Sequence, residues 1–361
     1  MNLNASLELN RHHQRDADEV IAGLGDLNTA FSGREILLTG AAGFLGAQFV
    51  HYFLRLNDSG RLAAPCRLVA MDNYIRGMPR WLDGLAGHPG LTLLKADITA
   101  ARDHGRPAFI IHAASIASPI YYRQFPIETM DANVTGLRLL LDHAERARPE
   151  GLLYFSTSEI YGDPDTAHIP TDENYRGNVS CTGPRACYDE SKRYGETLCV
   201  NFAKARGVPV TVARPFNNYG PGLRISDRRV LPDFFRDALA GRDLVMLSDG
   251  RATRTFCYVA DAIDGYLRIL LRGRPGEAYN IGTETPEISM RDLAALVVKT
   301  TGAGVRVVTA QSDDRDYLTD NPQRRCPVIR KAREELGYEP RVGLEEGLSR
   351  MCAYYRDHSD E

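Results

Sequence analysis

The chain has 361 residues, 43% of them hydrophobic and 25% charged, which is ordinary composition for one large or two modest globular domains. Its net charge of -3 comes from 44 basic and 47 acidic residues interspersed along the sequence. That balance argues against a nucleic-acid-binding stripe or a polybasic membrane patch, so an anionic ligand has to be gripped by local groups.

Residues 1–32 form an extension that carries Arg11, Arg15, Asp16, Asp18 and Glu19 and has no uninterrupted apolar block, which speaks against a secretory signal. Val20, Ile21, Leu24 and Leu27 recur at helical spacing, so the extension is expected to form an amphipathic helix that docks on the rest of the chain. Nowhere does the sequence approach the roughly 20 apolar residues that a membrane helix requires. Seven scattered cysteines include no CxxC pair, which fits reduced thiols and offers no metal site. The expected protein is soluble and cytoplasmic.

Glu35 to Thr39 reads as a buried strand, followed by Gly40-Ala-Ala-Gly43-Phe-Leu-Gly46 and an apolar helical pattern through Phe49, Phe53, Leu54 and Leu56. In that order Gly40 makes a tight turn, Gly43 lets backbone N–H groups approach a pyrophosphate, and Gly46 lets the helix pack against the strand. A glycine-rich turn without a ligand would read the same way. Arg67 to Met71 is a second strand with Asp72 at its end, about two dozen residues on, where a carboxylate holds ribose hydroxyls and repels a 2′-phosphate. NAD is therefore favoured over NADP, although Asp72-Asn73 is also good turn chemistry. Strands at Leu91 to Lys95, Phe109 to His112, Leu152 to Ser156 and Val208 to Ala213 alternate with helices such as Glu128 to Arg146 and Arg185 to Ala205. The alternation predicts an α/β fold, a doubly wound parallel sheet of the Rossmann kind. Asp97, just past a strand, is placed either to contact adenine or to sit in a loop without a ligand.

Tyr188 and Lys192 lie four residues apart in a helix that starts after Gly183-Pro184, and so share a face. An ammonium beside a phenol favours the phenolate, which can take a proton from a sugar hydroxyl. The same spacing also arises by chance in surface helices; its weight comes from following a dinucleotide fingerprint.

Gly40-x-x-Gly43-x-x-Gly46, Asp72, Ser156-Thr157-Ser158-Glu159-Ile-Tyr161-Gly162, Tyr188-x-x-x-Lys192 and Arg214-Pro-Phe-Asn217-Asn-Tyr-Gly220-Pro221 together resemble the extended short-chain dehydrogenase/reductase superfamily, in order from about Arg34 to Tyr355. Within it, Gly183-Pro-Arg185-Ala-Cys-Tyr188-Asp-Glu-Ser-Lys192-Arg193 closely resembles the UDP-glucuronate decarboxylases. The resemblance implies an NAD-binding Rossmann domain over 33–214, to which 251–272 returns, and a mainly nucleotide-sugar-binding domain over 215–361. NAD would lie against Gly40, Gly43, Phe44, Leu45, Gly46, Asp72, Asn73, Asp97, Ile98, Tyr188 and Lys192. It also implies a homodimer built on the two long helices.

One carboxylate, Glu159, follows Ser158 where dehydratases carry an acidic pair and simple 4-epimerases usually carry none, which points to chemistry beyond C4. By the resemblance, the reaction is decarboxylation of UDP-glucuronic acid through a 4-keto intermediate, giving UDP-xylose, UDP-4-keto-pentose or both. Tyr188, Lys192, Thr157, Ser158, Glu159 and Arg325 would be catalytic. Arg185, Asn217, Arg229, Arg254 and Arg325 would bind substrate, and Val230 to Leu231 would line the uracil pocket. For each arginine, a solvated or capping role is the plain alternative. A UDP-hexuronate 4-epimerase, a 4,6-dehydratase and a catalytically inactive nucleotide-sensing scaffold remain as other readings. Two departures stand out: Gly222 where the decarboxylases usually carry arginine, with Arg224 two residues away as a possible substitute, and the long N-terminal extension.

Overall fold

The computed structural model describes residues 11–100, 103–310, 319 and 322–358. Short runs rich in Ile, Leu and Val form β1 (Glu35–Thr39), β2 (Arg67–Asp72), β3 (Leu91–Lys95), β4 (Phe109–His112), β5 (Gly151–Phe155), β6 (Val210–Pro215) and β7 (Ala278–Ile281). They build one sheet in the order β7-β6-β5-β4-β1-β2-β3. Every pairing is parallel. Because parallel strands are joined by crossovers that cover both faces, they need continuous rather than alternating hydrophobicity. Both β4 and β5 are buried at every position.

The helices used below are α1 (Arg11–Leu24), α2 (Phe44–Asp58), α3 (Leu137–Ala147), α4 (Ala186–Arg206), α5 (Val230–Leu239), α6 (Val259–Arg272), α7 (Met290–Thr301) and α8 (Leu344–Asp357). On one face of the sheet, Phe49 and Phe53 of α2 and Ile263, Tyr266 and Leu267 of α6 pack with Ile36, Leu38, Leu153 and Phe155. Opposite, Leu140 and Leu141 of α3 and Cys199 and Phe202 of α4 pack with Leu37, Ile110, Leu152 and Tyr154. The doubly wound fold is thus present. Winding reverses between β1 and β4, and the loops leaving their C-terminal ends diverge, which opens the crevice where such sheets bind ligands.

Two features differ from the sequence reading. The sheet gains β7, a strand that lies beyond residue 215 and pairs with β6. Its Ala-Tyr-Asn-Ile run is broken by a polar residue, so it does not read as a continuous apolar strand. The helix expected from Glu128 to Arg146 runs from Pro126 to Ala147 with a π-helical turn at Asp131–Gly136. There Asn133 donates from its amide to the Ser191 hydroxyl of α4 at 2.9 Å, and Gly136 lies so near Ile98 that a Cβ would sit 2.6 Å from it. The widened turn serves these two contacts rather than regular helix geometry.

The extension supplies α1, whose Ala17, Val20, Ile21 and Leu24 are buried. Tyr258 donates to Asp16 at 2.8 Å, Arg55 of α2 to Asp18 at 2.7 Å, and Arg350 of α8 to Glu19 at 2.7 Å. Beyond β6 the elements shorten. Thr253–Arg254 pairs with Ile288–Ser289 and with Arg324–Arg325, and Leu244–Met246 pairs with Val307–Thr309.

Candidate active site

The glycine turn after β1 is forced by packing. Gly40 has φ +77°, and a Cβ on it would lie 2.6 Å from the Ala114 amide nitrogen. A Cβ on Gly46 would meet the Gly40 carbonyl and sit 2.8 Å from the Ala41 Cα. Helix α2 starts at Phe44 with Gly43 before it and no side chain capping it. Its first N–H groups, those of Phe44, Leu45 and Gly46, have no partner within the helix and carry the positive end of its dipole. At the end of β2 the Asp72 carboxylate accepts from the Ala42 N–H at 2.9 Å and from the Tyr74 N–H at 2.7 Å. Burial raises the Asp72 carboxyl above its ordinary range despite these donors. Asn73 donates to Asp97 at 3.1 Å, and Asp97 also takes the Thr99 N–H at 2.8 Å and hydroxyl at 2.7 Å. Ile98 is buried beneath this turn. An anion-seeking helix end, a backbone cradle that admits no Cβ and a strand-end carboxylate fit a dinucleotide.

The chemistry-bearing side chains gather past the end of β5. Thr157 precedes a single 3₁₀ turn, Ser158–Tyr161, and its Oγ1 accepts the Glu159 N–H at 3.2 Å. Its side chain faces the Tyr188 phenol and favours its ionised form. Ser158 is buried next to it. Burial pushes the Tyr188 phenol well up; the Thr157 side chain and the Arg229 charge pull it down, while Glu159 and Asp189 push it up. Lys192, one turn on in α4, donates from Nζ to the Phe155 carbonyl at 2.7 Å and lies 5.8 Å from the centre of the Tyr188 ring. Burial lowers its ammonium to about 7. Both members of the pair therefore resist charge, and a cation placed beside them would favour the phenolate.

Glu159 is clamped. Arg325 donates to it through two nitrogens, each at 2.5 Å, and Arg185 through a third hydrogen bond. Burial alone would raise the carboxyl; the charges and hydrogen bonds of Arg185 and Arg325 bring it down to about 2. Arg185 sits immediately before α4, reaching across from the residue that starts the Tyr188 helix.

The remaining predicted substrate residues lie on the far wall. Arg229 precedes α5 and pairs with Asp227 at 2.5 Å. Asn217, at φ +40°, donates to the Thr255 carbonyl at 2.8 Å. Arg254 is buried and donates to the carbonyls of Thr253 at 2.7 Å, Gln323 at 3.2 Å and Pro322. Val230 and Leu231 begin α5, with Leu231 buried. Arg224 lies near Asp72 and donates to the Arg76 carbonyl at 3.4 Å.

Two parts of the site were not read from sequence. Tyr122 stacks flat on Tyr188, with centroids 5.0 Å apart and planes 8° apart. Asp227 is buried and bridges Arg229 to Arg76, which lies 3.0 Å away in the loop after β2. A lone tyrosine and a lone aspartate in loops carry no periodic signal.

A parallel sheet with a phosphate-seeking glycine turn at its switch point, and a buried Tyr–Lys pair one crevice wall away, defines a dinucleotide-dependent enzyme that oxidises or reduces a carbon held against that phenol. The comparisons with known proteins agree. Residues 36–282 match the NAD dependent epimerase/dehydratase family. The chain belongs to that family, and NAD is its cofactor. It is 38% identical over 330 residues to UDP-glucuronic acid decarboxylase 6 of Arabidopsis thaliana, covering 90% of each. To UDP-glucuronic acid decarboxylase 1 of Xenopus tropicalis it is 38% identical over 328 residues, which are 90% of this chain and 72% of that one. Among solved structures, a UDP-glucose 4-epimerase from Thermotoga maritima with UDP-glucose superimposes with TM-score 0.78 at 25% identity, over 90% of this chain and 100% of that one. A dTDP-glucose 4,6-dehydratase from Streptomyces venezuelae with NAD bound gives 0.77 at 26% identity, over 90% and 97%. Among the described residues no helix is long and apolar enough to cross a membrane.

Proposed function

We propose that the protein decarboxylates UDP-glucuronic acid, using NAD, through a 4-keto intermediate, to give UDP-xylose, UDP-4-keto-pentose or both. The observation that carries this reading is the arginine clamp. Arg185 and Arg325 converge on one carboxylate, that of Glu159, beside the Tyr188 phenol. A site that holds a carboxylate within reach of the oxidising residue suits a sugar acid, and planar guanidinium forks suit carboxylate oxygens. The relatives named UDP-glucuronic acid decarboxylase support the choice over the epimerase and dehydratase readings.

NAD, when bound, supplies the electron acceptor for oxidation at C4. As its phenolate, Tyr188 takes the proton of the C4 hydroxyl and becomes a phenol while hydride leaves C4, with Lys192 as the cationic neighbour that favours the phenolate. Once C4 is a ketone, the C6 carboxylate is β to it. The C5–C6 bond breaks, CO₂ leaves, and the electron pair passes into an enolate whose oxygen is stabilised by Tyr188 and Thr157. C5 then takes a proton to give the 4-keto-pentose, and return of the hydride to C4 with the Tyr188 proton to its oxygen would give UDP-xylose. While paired with both arginines Glu159 stays ionised, so it serves C5 protonation only after they turn to the substrate; Ser158 is its neighbour in that step. Asn217, Arg229 and Arg254 hold the diphosphate and sugar, and Asp72, Asn73, Asp97 and Ile98 hold the adenosine end of the dinucleotide.

In this reading 33–214 with 251–272 forms the dinucleotide domain and 215–361 mainly binds the nucleotide-sugar. The protein is a cytoplasmic homodimer. Exposed Ile127, Met130 and Tyr194 on the two helical runs supply an apolar seam for the pairing, and all seven cysteines are free. Light scattering tests the dimer: a monomer would remove it. Incubation with UDP-glucuronate and NAD tests the reaction. Mass spectrometry should show a nucleotide-sugar lighter by CO₂. A product of unchanged mass would point to epimerisation, and loss of water to dehydration.

A further inference from the structure

The two oddities of the sequence, the N-terminal extension and Gly222, meet in space. Gly222 has φ +83°, and a Cβ on it would lie 2.7 Å from Nε2 of His13 and 3.1 Å from Nε2 of Gln48. His13 projects from α1 and is 4% exposed. Its ring stacks on His51 of α2 with centroids 4.3 Å apart and meets Tyr354 of α8 edge-on at 5.5 Å. Neither of its ring nitrogens has a hydrogen-bond partner among the described residues, so packing alone fixes the ring. Gln48 donates to the Pro221 carbonyl at 2.7 Å, and the Tyr355 hydroxyl to the Leu223 carbonyl at 2.8 Å. The start of loop 221–229 is thus seated from behind by α1, α2 and α8 together.

The far end of the same loop enters the crevice. Asp227 bridges Arg76 and Arg229 and accepts the Ser118 hydroxyl on its carbonyl at 3.2 Å, and the charge of Arg229 acts on the Tyr188 phenol. We propose that His13 is a positioning residue: by filling the space behind Gly222 it sets loop 221–229, and through it Arg229, against the nucleotide-sugar. The proposal rests on the substrate reading above only in naming uridine diphosphate as the group that Arg229 meets. A loop fixed at one end by a side-chain-free glycine and a packed imidazole has a single seating. Removing the imidazole lets the loop settle back, and a misplacement near 1 Å is enough to weaken a phosphate contact.

The test compares wild type, His13→Ala, Gly222→Ala and the double variant by titration with uridine diphosphate and, separately, with NAD. His13→Ala should weaken uridine diphosphate about tenfold and leave NAD within about twofold. Gly222→Ala should weaken it further, because its Cβ meets the imidazole at a strained φ. In the double variant the contact with the imidazole is gone, leaving only the Gln48 contact and the backbone strain, so binding should be tighter than in Gly222→Ala alone. If His13→Ala binds uridine diphosphate as wild type does, or the double variant is the weakest of all, the positioning role is wrong. If NAD weakens as much as uridine diphosphate, His13 supports the fold in general and the proposal also fails. Wild type that binds no uridine diphosphate refutes the substrate reading instead, and the two failures are told apart by that control.

Discussion

Both terminal nitrogens of Arg325 lie 2.5 Å from the carboxylate of Glu159, across 166 residues of chain. The pair ties the segment Arg324–Arg325 to the turn after β5, and Arg185 closes it from the side of α4. In a buried setting such a pair is sustained only because each charge has its counterpart.

Glu159→Gln leaves two buried guanidiniums facing a neutral amide, and should cost about 3–5 kcal/mol in urea unfolding. The sign with pH follows from a carboxyl held near 2 in the folded chain against an ordinary 4.5. Its contribution to stability is full above 4.5 and is lost as pH falls toward 2. Wild type should therefore lose its advantage over the variant through that window. An advantage that is constant with pH would contradict the clamp.

Lys192 is shifted for the opposite reason, burial disfavouring its charged form, yet its pH dependence has the same sign. Its folded value of about 7 lies below the ordinary 10.5, so between these the unfolded chain keeps a proton that the folded chain has released. Stability of the cofactor-free protein should rise with pH across that window. Lys192→Met should remove that part of the rise, read as urea midpoints at about pH 7 and about pH 10. Equal slopes in both proteins would show that Lys192 is not buried as described.

Tyr122 separates packing from polarity. Its ring lies flat on Tyr188, and its buried hydroxyl has no hydrogen-bond partner among the described residues. Tyr122→Phe should keep stability and turnover near wild type. Tyr122→Ala should cost about 3–5 kcal/mol and slow NADH formation, since the phenol loses the surface that fixes its plane. Equal loss in both variants would mean that the hydroxyl carries the effect.

Gly46→Ala should weaken NAD by at least about tenfold, because its Cβ would meet the Gly40 carbonyl and the Ala41 backbone, and two main chains cannot part as a flexible side chain would. Fluorescence titration with NAD checks this. Unaltered binding would mean that the turn after β1 does not cradle the dinucleotide.

The sequence made some of this legible and not the rest, for a physical reason. Gly40, Gly43 and Gly46 act within one turn, and Tyr188 and Lys192 within one helical repeat, so local spacing carries their relation. Six of the seven sheet strands are readable as apolar runs between turns, whereas β7, with Asn280 inside a four-residue run, does not stand out. Glu159 with Arg325, Tyr122 with Tyr188, and His13 with Gly222 meet only through tertiary packing. The sequence singled out Gly222 and the extension as separate departures; their contact is a product of folding. For Arg254 the sequence reading is a substrate contact, and its hydrogen bonds to the backbone carbonyls of Thr253, Gln323 and Pro322 have no sequence signature.

The phenol of Tyr188 is the centre of the account, and a single-turnover experiment tests it most directly. Wild type and Tyr188→Phe are each mixed with NAD and UDP-glucuronate, and NADH absorbance is followed alongside CO₂ release. Wild type should form NADH before CO₂ appears, and Tyr188→Phe should form neither while binding NAD normally. Release of CO₂ by Tyr188→Phe at the wild-type rate would contradict oxidation at C4 by that phenolate.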